Sequence, residues 1–323
     1  MFIISGHEIV KDNDTFIEIA SNVSNCMNNA GPSGSTPVDF FPCLQYFPSW
    51  FPGTFYANHA RDSYNTIRQV HDIPVEYARE QLNKGTAQTS FVSHLLDEID
   101  VEIESVDSAE ERQNLYDQGL WHVRGAAATA YAAGGDTTYT TLRVFFLVMT
   151  LYPQIQKKAQ DEIDHVLGTE IQGINRLPEI EDRENLPFVE CVFQETLRWF
   201  PVLSIGVPHR SLEDDIYKGM FIPKGSIIFA NARGMSLDER IYSEPRVFSP
   251  MRFMPIEKGG KGEPYFVGGW GFGRRICPGR HLADTEVWLA MATTLATLDI
   301  SQAKGEDGKE IPPELKFSDG IVK

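Results

Sequence analysis

The chain of 323 residues is 42% hydrophobic and 23% charged, enough for a large core in one domain or two. Its net charge of −16 excludes a general nucleic-acid binder, which needs clustered positive charge. Its four cysteines, Cys26, Cys43, Cys191 and Cys277, are too few for a disulfide framework and none is spaced C-x-x-C as in a zinc cluster, so a reducing or cytosol-facing setting fits.

In chain order, residues 1–30 predict helix with an Asn-rich end, and residues 31–37 a Gly/Pro/Ser break. Residues 40–55, FFPCLQYFPSWFPGTF, predict short turns packed on apolar surface. Helical spacing follows over 57–82 and more briefly over 91–100. Residues 97–112 carry eight acids and one base, and predict a solvated loop. The longest helix is predicted over about 113–152, apolar nearly all round and therefore central and buried. Pro153 ends it and starts another helix to about Val166. A helix from Phe188 stops at Pro201. Residues 216–222 and 226–231 then predict a hairpin around Pro223-Lys224-Gly225. Residues 238–273 predict irregular backbone, and a last helix runs from Pro278 to about Thr297. No segment holds eighteen uninterrupted apolar residues.

Three features carry chemistry. The first is Gly268-Gly269-Trp270-Gly271-Phe272-Gly273-Arg274-Arg275-Ile276-Cys277-Pro278-Gly279. Its glycines allow close approach to a flat partner and positive φ. A cysteine just ahead of a helix start, with two arginines beside it, meets the conditions that favour a thiolate, the form that binds metal. On local residues alone a glycine-rich nucleotide loop and an inert buried cysteine stand beside that reading. The second is Glu195-Thr196-Leu197-Arg198, an i, i+3 pair in an otherwise apolar helix. Burial would oblige that pair to find further partners, and Arg252 could supply one. The third is Ala133-Gly134-Gly135-Asp136-Thr137-Thr138 inside the long helix. Interior glycines cost about 1 kcal/mol each relative to alanine, and threonine hydroxyls can bond a carbonyl one turn back. This reads as a helix-packing notch or as a groove beside a proton-relay pair.

Taken together and in this order, the three resemble the cytochromes P450. Glu195 and Arg198 look like the family's Glu-x-x-Arg motif, Pro250, Arg252 and Phe253 its Pro-x-Arg-Phe element, residues 133–138 its oxygen groove, and Gly273, Arg275, Cys277 and Gly279 its cysteine loop. Val207-Pro208-His209-Arg210 and residues 219–225 are similar to the fungal, membrane-associated members that oxidise secondary metabolites and aromatic compounds. The family usually has Phe seven residues before the cysteine, where this chain has Trp270.

The resemblance implies a mainly α fold with a small β part, as a single partial domain over 1–323. Its landmarks are the central helix at 113–152, the Glu-x-x-Arg helix at 188–200, and the thiolate loop with its following helix at 268–298. It also implies a fragment or truncated gene product. The anchor, first strands and helices through about D, including helix C with its Trp-x-x-x-Arg, have no counterpart, and the C-terminal hairpin is cut at Lys323. The implied cofactor is haem b (iron protoporphyrin IX), with Cys277 as axial iron ligand, Arg275 and His209 at the propionates, and Gly273, Gly279 and Trp270 in the binding loop. Thr137 would hydrogen-bond dioxygen and Asp136 feed protons, while Glu195, Arg198 and Arg252 would be structural. The implied activity is monooxygenation of a small apolar substrate with dioxygen. Electrons would come from NADPH through a separate NADPH-cytochrome P450 reductase, at the cytosolic face of the endoplasmic-reticulum membrane but with no anchor in this chain. A haem-thiolate isomerase or peroxygenase needing no reductase, and a fragment that holds haem poorly or is inactive, are the alternatives.

Overall fold

The computed structural model describes residues 1–11, 13–30, 36–168 and 176–314. They divide into two compact units, one up to Asp136 and one from Thr137 onward.

In the first unit, α1 (Phe2–Ser5) and α2 (Thr15–Asn29) replace the single helix predicted over 1–30. Two features cause the break. Gly6 adopts φ +74 and ends α1, and the Asp14 carboxylate accepts the Phe16 amide at 2.8 Å and starts α2. The predicted break at 31–37 lies mostly outside the described residues, apart from Thr36 and Pro37, which open α3 (Pro37–Phe40). A 310 turn over Pro42–Tyr46 follows, as the proline-rich pattern predicts. Its aromatics face outward rather than packing down: Phe40, Tyr46 and Trp50 are 68, 83 and 78% exposed. α4 (Phe55–Lys84) runs through Pro74 and ends on Gly85 at φ +68.

α5 (Phe91–Glu104) opens on a reciprocal Ser90–Ser93 cap. It absorbs most of the acidic run expected to be a loop. Val92, Leu96 and Ile99 recur at helical spacing and bury one face, so the interleaved acids lie on the other. Only Ser105–Ser108 separates it from α6 (Ala109–Leu151). α6 continues without interruption through Gly134 and Gly135, so the glycine pair does not open the ladder.

In the second unit α6 ends at Pro153, the first residue of α7 (Pro153–Leu167). α8 (Pro187–Trp199) has no local side-chain cap; instead Glu162 of α7 accepts the amides of Phe188 and Val189, each at 2.9 Å. The core of this unit lies among these helices and the last helix, residues 280–297, with Phe145, Val192, Phe193, Trp288 and Met291 fully enclosed.

The β part consists of two-stranded ladders. β1 (His209–Arg210) pairs with β4 (Ile227–Ile228), and β2 (Asp215–Tyr217) with β3 (Met220–Ile222). The hairpin turn is thus Lys218-Gly219, not Pro223-Lys224-Gly225. Both turn residues have positive φ, +50 and +80, which is what a two-residue turn between twisted strands needs. Pro223 instead makes a corner, its carbonyl accepting Ser226 N–H at 3.2 Å.

α9 (Ala232–Ser236) leads into irregular backbone with single 310 turns, as expected for 238–273. α10 (Arg280–Thr297) starts two residues after the predicted Pro278. Pro278 lies in the preceding turn, and the Gly279 carbonyl takes the first helical bond, from Ala283. β5 (Ala303–Lys304) and β6 (Glu310–Ile311) form a last ladder. The end of the chain, where the cut hairpin is expected, lies outside the described residues.

Candidate functional site

The Glu195–Arg198 pair is fully buried. Separated by three residues on α8, the two side chains meet in a bidentate pair: Arg198 Nε donates to Glu195 Oε2 at 2.7 Å and Nη2 to Oε1 at 2.8 Å. The remaining Arg198 nitrogen donates to the carbonyls of Ser236 and Pro245 at 2.6 and 2.9 Å. Arg252, equally buried, donates from Nε to Glu195 Oε1 at 3.0 Å, supplying the partner that burial demanded. Ser249 N–H adds a donor to the same oxygen at 2.8 Å.

Sequence reasoning missed a fourth member, Glu263, whose Oε2 accepts Arg252 Nη1 at 2.7 Å. Burial alone would raise its pKa. The Ser243 hydroxyl and amide, with Arg252, outweigh that and hold it below the usual glutamate range. No periodicity in the irregular segment marks Glu263. The only available signal was charge balance: two buried guanidinium groups facing one carboxylate require another.

Cys277 lies half-buried in the loop ahead of α10 and is a free thiol. Its amide donates to the Trp270 carbonyl at 2.8 Å, which closes the loop. Its carbonyl accepts Arg280 N–H at 3.4 Å and the Arg280 side chain at 3.3 Å. Gly271 and Gly273 take φ +77 and +58, so both need glycine. Gly279 has negative φ, and a Cβ there would lie 3.9 Å from the Cys277 sulfur, an ordinary contact, so neither conformation nor space demands glycine at that position. Phe272 and Ile276 of the loop and Leu282, five residues beyond the thiol, are exposed, as are Arg274 and Arg275.

His209 is an exposed residue of β1, aligned with Ile228. Trp270 ends the 310 turn Gly268–Trp270 and is half-buried. On α6, Asp136 is half-buried rather than buried and accepts Asn28 Nδ2 of α2 at 3.2 Å. The Thr137 carbonyl accepts the Thr141 hydroxyl at 2.9 Å. Gly134 and Gly135 are exposed, and a Cβ on either would meet nothing within 4 Å.

Glu195, Arg198 and Arg252 are thus brought into one cluster, and Trp270, Gly273, Arg275, Cys277 and Gly279 into one loop. Among the described residues no three His, Cys, Asp or Glu side chains converge as a metal site. A metal at Cys277 would therefore bring its other ligands with it. A soft sulfur donor, apolar neighbours in the loop and adjacent guanidinium groups fit an iron macrocycle that is flat, apolar and fringed with carboxylates.

The cytochrome P450 family model matches residues 2–322. The chain is 38% identical over 321 residues to a cytochrome P450 monooxygenase of Postia placenta, covering 98% of this chain and 58% of that protein. A cytochrome P450 monooxygenase of Armillaria gallica is 39% identical, with 98% of this chain and 59% of the relative covered. The cytochrome P450 monooxygenase claR of Ampulloclitocybe clavipes is 38% identical, with 96% and 54% covered. The chain therefore spans between 54 and 59% of the length of these relatives. A match over nearly every residue, with the buried Glu-Arg-Arg cluster and the glycine-framed cysteine loop, places the chain in the cytochrome P450 family.

Proposed function

We propose that the protein is a haem-thiolate monooxygenase in which the Cys277 thiolate would hold the iron of haem b. The observation that carries this reading is the Cys277 loop, closed on the Trp270 carbonyl at 2.8 Å and turned by Gly271 and Gly273 at positive φ. The haem, when bound, supplies the activation of dioxygen. The chain's own groups do the rest. Cys277 donates electron density through sulfur. Trp270, an aromatic where the family usually has Phe, would tune that donation by packing beside the sulfur. Arg275 and His209 would pair with the propionates. The Thr137 hydroxyl would offer a hydrogen bond to dioxygen, and Asp136, half-exposed to water, would relay protons from solvent. The Glu195–Arg198–Arg252 cluster holds the backbone of 236–252 in place.

The substrate we infer is a small apolar molecule, with electrons from NADPH through a separate NADPH-cytochrome P450 reductase. We place the protein at the cytosolic face of the endoplasmic-reticulum membrane. No described helix is long and apolar enough to cross a membrane. Support for surface contact comes from residues 40–60, which carry no Asp, Glu, Lys or Arg and expose Phe40, Phe41, Tyr46, Trp50 and Phe55.

Replacing Cys277 by Ala should abolish the red-shifted Soret band of the reduced CO complex in haem-loaded protein. An unchanged band would overturn the ligand assignment. Oxidation that needs no NADPH or reductase would favour a peroxygenase instead.

A further inference from the structure

We propose that Arg183 is a positioning residue for the thiolate: it sets the Cys277 end of α10 by tethering Asp284 to α8. This rests on the reading of Cys277 as haem ligand. Arg183 lies in the 310 turn Ile180–Asn185. Its Nε donates to Glu190 Oε2 of α8 at 2.8 Å and its Nη1 to Asp284 Oδ2 of α10. The guanidinium carbon lies 5.3 Å from the Phe193 ring centre on α8 and 5.5 Å from that of Trp288 on α10. One half-buried cation therefore grips both helices by ion pair and by ring.

The grip falls on the turns of α10 that bury no side chain among the described residues. Its buried side chains begin at Val287 and continue through Trp288, Met291, Ala292 and Leu295. None of residues 280–286 is buried. Within that stretch Thr285 bonds back to His281 and Arg280 to Cys277, both local. Among the described residues, Asp284 carries the polar side-chain bond that ties these turns to another element. From Trp288 to Arg280 the helix spans about 12 Å, so a tilt of about 5° displaces its start by about 1 Å. Because the Cys277 carbonyl is bonded to Arg280, the sulfur's loop moves with that start. A displacement of that size matters at a ligand held to about half an ångström.

The test compares Arg183→Gln, Arg183→Lys and Asp284→Asn in the full 323-residue chain, with the core change Ile163→Val as a stability control. Amide exchange is read at Cys277 and Asp284 without haem. Losing the charged pair should speed exchange at both by roughly tenfold or more in Arg183→Gln and Asp284→Asn. Arg183→Lys should recover part of the protection, and the control should leave both sites unchanged. The same proteins, loaded with haem, reduced and exposed to CO, should show a smaller thiolate-type Soret share in Arg183→Gln, again partly restored by lysine. Unchanged exchange at Cys277 and Asp284 in Arg183→Gln overturns the proposal, as does faster exchange with an undiminished thiolate band. Absence of that band from the unsubstituted chain would instead overturn the ligand reading, and the exchange rates would still decide the tether.

Discussion

Replacing Arg252 by Met tests whether the buried cluster is a closed charge network. Methionine keeps much of the length and removes every donor. The variant loses bonds to Glu195 (3.0 Å), Glu263 (2.7 Å), and the carbonyls of Ser243 (2.9 Å) and Val247 (3.0 Å). It leaves Glu263 without the cation that faces it. Breaking a buried pair from one side costs about 3–5 kcal/mol. With a urea slope of about 2–3 kcal/mol per molar, the midpoint of the second unit should fall by about 1–2 M. Tryptophan fluorescence isolates that unit: Trp199 and Trp288 are buried there, whereas Trp50 and Trp121 are 78 and 73% exposed in the folded state. Adding Glu263→Gln should return part of the loss by removing the abandoned charge, and the double-mutant cycle measures that coupling. A midpoint shift below about 0.3 M would refute the network.

Three further outcomes follow from particular groups. Glu263 is held below its unfolded value of 4.5, so its contribution is present above that pH and is lost as pH falls through the lower folded value. Urea midpoints from about pH 6 to about pH 3 should therefore fall less steeply in Glu263→Gln than in the unsubstituted chain; parallel curves would contradict this. Burial pushes the Cys191 thiol up to about 12, so alkylation followed by mass spectrometry should mark exposed Cys43 first and Cys191 only on unfolding. Early labelling of Cys191 would contradict its burial. Gly134→Ala places its methyl in open space inside a helix and should raise stability by about 0.5–1 kcal/mol, seen as a thermal midpoint higher by about 2–4 °C. A lower midpoint would show that the glycine answers a packing need.

What the sequence revealed depended on distance along the chain. Helices with a buried stripe and a proline or cap at the start, such as α7 and α8, were legible because both signals are local. The Glu195–Arg198 pair was legible for the same reason, and the cysteine loop because its glycines cluster. Arg183 and Glu263 were not: Arg183 meets Asp284 across 101 residues of chain, and Glu263, 11 residues from Arg252, sits in a segment without periodicity. The hairpin turn was misplaced because Pro223-Lys224-Gly225 is the louder turn signal, although only Lys218-Gly219 supplies two adjacent positive φ angles. The acidic run was read as loop because its charge masked the apolar residues spaced between the acids.

The carboxylate of Glu162 at the head of α8 has a consequence for the order of assembly. α8 begins after Leu186, which offers no side-chain acceptor, so two of its first amides are satisfied only from α7. Burial raises the pKa of Glu162 despite those two donors, so the acid is harder to ionise in the folded chain than when exposed to water. A peptide covering α8 alone would fray at its first turn, and one covering 153–199 would bring its own cap. These two helices should therefore open and close as one cooperative segment, ahead of or behind their neighbours but not separately.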